Sequence, residues 1–581
     1  MTPLIDPRRG DFEDDASSTK QRSLFAIAGS LLAEISLPKL IAAWLLLIVL
    51  PGILLGLAPL IGSAWLAKFS RTFADSLGGI WPMILLALVV ALGWFGGRPL
   101  FRAAEQGFWS LNSLAVQPCY ALCREGLRHL SEHLIMPRVG AEARARLRAA
   151  SAAGAGVILC GIAFSIVMFS WPASRWVGEF SYLMSPHLLI VPTLANAAVI
   201  LGTYFALAAL AWGIADASMP QPRDLARFDA RVRAGRTWRV VHLSDLHIVG
   251  ERYGFRIESG RSGPRGNERF ARVLERLDKV HAKQPLDLIL VTGDITDAGR
   301  SAEWAEFFAA IAGHSSLARR MIVLPGNHDI NVVDRANPAR LDLPTSPSRR
   351  MREMRALSAI AALQGDKVYI VDPSTRRLGK SLNQLLAPQI SDIEAFSNSG
   401  TLWLSVRLSQ VWAEAFPMVL PPDAEDGIGV IVLNSTTQTH FSFTNALGLI
   451  STEQARAIHA VAGQFPRAHW IIALHHHLVE YPKLATSFSE RIGTALINGT
   501  WFVRQLERLA DRIVVMHGHR HIDWIGSCGD LRIVSAPSPV MESTGEESTC
   551  FYIHSLSVGR TGRLRLLAPE RVDIAGAKAR A

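Results

Sequence analysis

Aspartate, asparagine and histidine recur in five short clusters between residues 245 and 521. These residue types hold divalent metal ions while leaving a coordination position open for water. The clusters read Asp245-Leu246-His247, Gly293-Asp294, Gly326-Asn327-His328-Asp329, His475-His476-His477 and Gly518-His519-Arg520-His521. Asp245 and His247 are two apart in a segment leaving a strand, so both side chains can reach one ion. Asp294 follows a glycine that frees the backbone for a tight turn, and a carboxylate there suits a bridge between two ions. Asn327 offers a neutral carbonyl oxygen. One histidine of 475–477, with His519 and His521, completes a ligand set for two adjacent ions, an arrangement built for hydrolysing phosphate esters. A lone Asp-x-His or Gly-Asp would be noise; the ordered set carries the specificity. His242, His281, His459 and His469 lie outside the pattern and read as surface or packing residues.

The elements that must position these clusters are visible from residue 237 onward. Short runs rich in Ile, Val and Leu occur at 238–243, 286–291, 321–324, 429–433, 470–474, 513–516, 531–534 and 551–553. Continuous apolar runs of this length suit strands covered on both faces. Residues 268–281 read as a helix, with Phe270, Val273, Leu274 and Leu277 at helical spacing. Each cluster falls at or just after the C-terminal end of a strand, at Leu243, Val291, Leu324, Leu474 or Met516, which is where sites assemble in α/β sheets. Segment 331–425 carries no cluster and is rich in Pro, Ser and Arg; it reads as an insertion, either a cap over the site or an irregular excursion.

The first 216 of the 581 residues differ from the rest, so the mean hydropathy of +0.21 describes neither part. Stretches 40–66, 76–97, 149–174 and 180–215 lack charged residues for long enough to cross a bilayer as helices. Trp65, Trp81, Trp94 and Trp171 sit near their ends as interfacial anchors. Arginine and lysine are frequent before the first stretch, in loop 98–148 and after the fourth, and sparse in the other two loops. The chain is therefore expected to divide into an N-terminal segment 1–39, an all-α membrane domain 40–216 of about four helices, a basic linker 217–236, an α/β domain 237–557 and a tail 558–581. Both termini and the α/β domain are expected on the cytoplasmic side of an inner or plasma membrane. Residues 117–135 mix leucines and arginines at helical spacing, and read either as a helix on an anionic membrane surface or as a solvated one. The net charge of +10 does not argue for nucleic acid, because the arginines flank apolar runs. Five scattered cysteines give no disulfide framework. The first long apolar run begins near residue 40, too late and too long for a signal peptide.

The ordered clusters resemble those of the calcineurin-like metallophosphoesterase superfamily, D-x-H, G-D, G-N-H-D/E, H and G-H-x-H, over about residues 237–557. The resemblance implies a four-layer αββα sandwich and two divalent ions such as Mn, Fe or Zn. One ion would be held by Asp245, His247, Asp294 and His521, the other by Asp294, Asn327, His475 and His519, with His476 the second choice in the fourth cluster. His328, paired with Asp329, would contact the substrate phosphate and protonate the leaving oxygen. The implied activity is a membrane-anchored phosphoesterase acting on a phosphodiester, phosphomonoester or pyrophosphate, with diesterase favoured. Its substrate could be a cyclic nucleotide, as in class III phosphodiesterases, or lipid-linked, as in relatives acting on UDP-diacylglucosamine. The competing reading is a membrane sensor or scaffold that binds a phosphorylated ligand without turnover. The spans contain no acid or base beyond His187 at an edge, which argues against a proton-coupled transporter.

Overall fold

A computed structural model describes residues 45, 50–75, 112, 116–135, 141–179, 185–230, 236–250, 256, 266–333, 347–436, 445–482, 496–541, 549–559 and 561–574. They form two compact units, one within Ser36–Met219 and the other from Pro220 onward.

The first unit is helical: α1 (Leu50–Asp75), α2 (Gln117–Ile135), α3 (Ala141–Ser170) and α4 (Ile190–Ala217). Three stretches are long and apolar enough to cross a membrane: Leu50–Lys68, Ala145–Ala173 and His187–Ala217. They correspond to the first, third and fourth expected spans, while the one expected at 76–97 lies outside the described residues. Helices α3 and α4 meet along small residues. A Cβ on Gly156 would lie 2.8 Å from the Ala209 carbonyl oxygen and 2.9 Å from Gly213 Cα, so the two backbones approach directly. Val157, Ile162, Phe164, Ile166 and Phe169 of α3 are exposed. Apolar residues outside and small residues inside is the arrangement that lipid stabilises.

Helix α2 matches the expected 117–135, but its basic face is turned inward. Arg124 Nη1 lies 2.6 Å from Asp216 Oδ2 of α4, and Arg128 Nη1 lies 2.7 Å from the buried Glu125. Leu122 and Leu130 take the exposed positions instead. Buried charges need partners, and Asp216 lies 92 residues away in sequence, beyond any local helical pattern.

The second unit contains two mixed sheets that share one hydrophobic core. Its strands are β1 (Arg223–Asp224), β2 (Thr237–Leu243), β3 (Leu288–Val291), β4 (Met321–Val323), β5 (Tyr369–Val371), β6 (Leu378–Ser381), β7 (Met418–Leu420), β8 (Ile428–Val432), β9 (His469–Ala473), β10 (Ile513–His517), β11 (Trp524–Cys528), β12 (Leu531–Ser535), β13 (Cys550–Val558), β14 (Leu564–Leu566) and β15 (Glu570–Asp573). One sheet runs β1-β11-β12-β10-β9-β8-β7-β5-β6; the other runs β14-β13-β2-β3-β4, with β15 also paired to β13. Within them β2, β3 and β4 are parallel, as are β8, β9, β10 and β12. Helices α5 (Glu268–Lys283) and α6 (Ser301–Ala312) link the first parallel set, and α11 (Thr452–Gln464) and α12 (Gly499–Glu507) link strands of the second. Parallel strands end on the same edge, so the five polar clusters emerge together.

Strands also occur in three segments where none was expected. Within 331–425, expected as an insertion, β5, β6 and β7 extend the nine-stranded sheet beyond β8. That segment also holds α8 (Pro347–Gln364), α9 (Ile390–Ser399) and α10 (Leu402–Glu414), while α7 (Asn327–Ile330) precedes it in the third cluster. The tail expected at 558–581 contributes β14 and β15, both antiparallel to β13. The linker contributes β1 against β11. All are two to four residues long, too short to show a period in the sequence.

His242 and His554 pack edge to face beneath the sheet, with ring centroids 5.8 Å apart, and both are buried. Burial pushes the His554 imidazole down to about 4 from its ordinary 6.5. Its neutral form is thus the one folding favours. That stability is complete above 6.5 and is lost as the pH falls towards 4. We expect His554→Phe, which keeps an aromatic ring beside His242, to lose less thermal stability than the parent between these two pH values. Melting curves across that range, at matched metal load, check this; equal slopes for both proteins would contradict it.

Candidate metal centre

The loops that follow β2, β3, β9 and β10 are stitched together through their backbones. Asp245 N donates to Gly293 O and His247 N donates to Asp294 O, each at 3.0 Å. Gly518 N donates to His475 O at 3.1 Å. Six non-glycine residues have positive φ among the described residues, and five of them are Asp245, His247, Asp294, His519 and His521. Left-handed backbone is costly for most side chains but comparatively tolerable for Asp, Asn and His. Here it turns successive side chains towards one point.

The glycines beside these ligands leave room for ligands from other loops. A Cβ on Gly326 would lie 2.1 Å from Asp294 Oδ1, and one on Gly518 would lie 2.6 Å from Asp245 Oδ2. A Cβ on Gly293, whose φ is +92°, would lie 2.6 Å from His475 Nδ1. Each cluster's glycine therefore makes space for another cluster's donor.

Among the described residues three groups of donors result. Asp245, His247 and His521 form the first, Asp294, His475 and His519 the second, and His247, Asp297 and His328 a third that shares His247, with the donor atoms of each group within 4.8 Å of one another. In the first, His247 Nε2 lies 3.3 Å from His521 Nε2, and Asp245 Oδ1 lies 3.4 Å from His521 Nε2. In the second, His475 Nε2 lies 3.2 Å from Asp294 Oδ2, 3.1 Å from His519 Nδ1 and 3.0 Å from Asn327 Oδ1. Asp294 Oδ2 also lies 3.9 Å from His247 Nε2, so this carboxylate sits between the groups.

The electrostatics fit a cation-binding site. Asp245 and Asp294 are almost fully buried. Burial disfavours a charged His475 ring, yet the neighbouring Asp294 and Asp245 carboxylates outweigh it and hold that ring up to about 9. The carboxylates thus demand positive charge at this point. Burial and neighbouring histidines hold His247 and His519 well below their ordinary range, in the neutral form that ligates metals. His475 Nδ1 donates to Thr292 O at 2.8 Å, which leaves Nε2 facing the other donors.

The structure separates the three consecutive histidines. His475 faces the donor group, His476 Nδ1 lies 2.8 Å from Ser435 Oγ, and His477 Nε2 lies 3.5 Å from Glu480. His328 Nδ1 donates to Asp297 O at 2.8 Å, and its ring stands edge to face against His247 with centroids 4.6 Å apart. The Asp329 side chain faces several donors of the neighbouring loops. Its carboxylate accepts from the backbone N–H groups of Ile295, Thr296 and Gly326 and from Thr296 Oγ1. It braces the loop carrying Asp294, while the His328 ring is held by Asp297.

Asp297 and α8 are contributors that the sequence clusters miss. The Asp297 carboxylate lies 3.4 Å from His247 Nδ1, on the opposite side of that ring from His521. Its place three residues after Asp294, in Gly-Asp-x-x-Asp, was the available signal. Helix α8 buries Arg349, Arg350, Arg352 and Arg355 beside Glu353. Arg352 Nε donates to Ile330 O at 2.7 Å and Arg349 Nη1 to Asn331 Oδ1 at 2.7 Å, fixing the end of α7. Nothing in the local sequence marks these arginines as supports rather than surface charge.

Residues 239–404 match the family model of the Calcineurin-like phosphoesterase, and the matched segment holds the first three clusters. No curated protein matches the chain. Among solved structures, a dimetal phosphatase from Danio rerio is 12% identical with a TM-score of 0.33, over 58% of this chain and 99% of that one. The NAD nucleotidase of Haemophilus influenzae is 12% identical with a TM-score of 0.29, over 58% of this chain and 56% of that one. A purple acid phosphatase from yellow lupin (Lupinus luteus) seeds is 12% identical with a TM-score of 0.28, over 56% of this chain and 49% of that one. The match thus spans about half the length of the last two. Residues 239–404 of the C-terminal unit are thus similar to the Calcineurin-like phosphoesterase family, and helices long and apolar enough to cross a membrane precede them.

The glycine cradle and the Asp329 brace predict different failures. Gly326→Ala should displace Asp294 and lower bound metal while the fold persists. Asp329→Ala leaves several backbone donors unsatisfied and should destabilise the domain by about 3 kcal/mol. Metal analysis by mass spectrometry and chemical denaturation separate the two. A Gly326→Ala protein with full metal content would show that the predicted crowding is relieved elsewhere.

Proposed function

We propose that the chain is a membrane-anchored phosphoesterase with a dinuclear centre, its first ion held by Asp245, His247, Asp294 and His521 and its second by Asp294, Asn327, His475 and His519. The observation that carries this reading is the pair of buried donor groups with Asp294 between them. Divalent ions bound there supply Lewis acidity towards phosphate oxygens and lower the pKa of a coordinated water.

The chain's own residues do the rest. His328 donates its Nδ1 proton to Asp297 O, so Nε2 is the nitrogen that takes up a second proton and, in the imidazolium form, gives it to the leaving oxygen. Asp297 fixes the ring through its backbone and faces His247 through its carboxylate, coupling the positions of ligand and acid. Asp329 holds the loop between Asp294 and Thr296 in register with Gly326. Diesters are favoured over monoesters because His328 is retained directly after Asn327, as in diester-cleaving members of the family. The three apolar helices favour a substrate met at a membrane, including a lipid-linked phosphate; a cyclic nucleotide fits the same chemistry. The alternation of arginine-rich and arginine-poor segments supports a cytoplasmic catalytic unit.

The purified full chain with Mn²⁺ should hydrolyse bis(p-nitrophenyl) phosphate faster than p-nitrophenyl phosphate. Asp294→Asn should lose activity and both ions. His328→Ala should keep its metal content and lose turnover by about 10²–10⁴-fold. Faster monoester cleavage would make the protein a phosphatase. No turnover by a folded, metal-loaded chain would favour a ligand-binding sensor. A reporter fused after Ala581 that is active only on the outer side would reverse the proposed orientation.

A further inference from the structure

Large exposed hydrophobic side chains are scarce in the catalytic unit. Among its described residues they are Phe228, Ile390, Leu402, Trp403 and Val406. Four of the five lie on one helical hairpin, α9 and α10. Leu402, Trp403 and Val406 follow one another at one and four residues along α10 and are 57%, 66% and 57% exposed. The opposite face of α10 is buried through Leu404, Leu408, Val411 and Trp412. Soluble surfaces carry single exposed leucines routinely, but a contiguous aromatic and aliphatic face marks a contact.

One ion pair lies beside this face. Arg407 Nε lies 3.0 Å from Asp392 Oδ2, and the Arg407 guanidinium lies over the Trp403 ring, 5.4 Å from its centroid. The patch is mainly apolar, with a tryptophan and an arginine side by side and the exposed Glu394 one turn beyond Ile390. That combination suits a bilayer interface, where the indole sits at headgroup level and the guanidinium reaches water.

The chain also brings a bilayer within reach. Candidate span His187–Ala217 is separated from β1 only by residues 218–222. Fully extended, that connection spans about 20 Å at most. A catalytic unit held so close must turn one face to the membrane. The hairpin links β6 and β7, at the other end of the nine-stranded sheet from β1.

We propose that the exposed face of α10, with Ile390 of α9, docks into the headgroup region of the membrane that carries the anchor. Leu402, Trp403 and Val406 enter the interface and Arg407 stays at its aqueous edge. With β1 tethered at one end of the sheet and the hairpin docked at the other, the catalytic unit is held at two points. The inference rests on reading the three apolar helices as membrane spans.

The test uses the full chain in phosphatidylcholine vesicles, with Cys119, Cys123 and Cys160 replaced by serine and the buried Cys528 and Cys550 kept. A nitroxide is attached at Trp403→Cys, at Ile162→Cys in α3 and at the exposed Glu275→Cys of α5. Collision with oxygen and with a water-soluble nickel chelate is then measured by electron paramagnetic resonance. Position 403 should show a several-fold higher ratio of oxygen to nickel collisions than position 275. Leu402→Glu with Val406→Glu should abolish that difference while hydrolysis of a soluble ester continues. A label at 403 that meets the chelate as freely as the label at 275 would overturn the inference. Shielding of 403 from both reagents would also overturn it, because a protein surface would then cover the patch. The label at 162 reports the anchor separately: if it too reads as solvent, the membrane reading itself fails.

Discussion

Burying two carboxylates among neutral imidazoles is the constraint on which the catalytic unit depends. Asp245 and Asp294 are removed from water, and such charges are tolerated only with a compensating cation. The architecture around them serves that requirement. Two sets of parallel strands deliver their loops to one edge, backbone hydrogen bonds between loops fix the spacing, and glycines clear room for the donors. The same carboxylates raise the His475 imidazole above its ordinary range, which expresses the same demand for positive charge.

Much of this was legible from residue types and order. The five clusters and the strands before them follow from apolar runs ending in Asp, Asn or His, because a strand covered on both faces has an unmistakable composition. At 475–477 the strand end at Leu474 favoured His475 over His476, although three identical neighbours differ only in what they face. Asp329 and Asp297 look alike in sequence, yet one serves backbone donors and the other holds the His328 ring. Which acid does which depends on the turn after Gly293, a three-dimensional fact. Short strands such as β14 and β15 escaped because three or four residues cannot establish a period.

The two units invert each other's rules of burial. In the catalytic unit apolar strands are hidden, and a charged residue such as Arg352 enters the interior where it holds a backbone carbonyl oxygen. In the helical unit Phe169 is 89% exposed, while Arg124 and Glu125 are buried together. One amphipathic pattern therefore means opposite things on the two sides of residue 220. That is why the basic face of α2 was legible as a face but not as an interior one.

The left-handed backbone at five donor positions has a consequence for ligand chemistry. Asp, Asn and His accept that conformation several times more readily than most residues, whereas β-branched side chains are outliers there. The loops thus restrict which donors the positions will tolerate before any metal is considered, favouring carboxylate oxygen and imidazole nitrogen. Descendants of this scaffold can change metal preference most easily by exchanging these three residue types, and a thiolate-rich centre would call for rebuilt turns. Conformation acts here as a filter on inorganic chemistry.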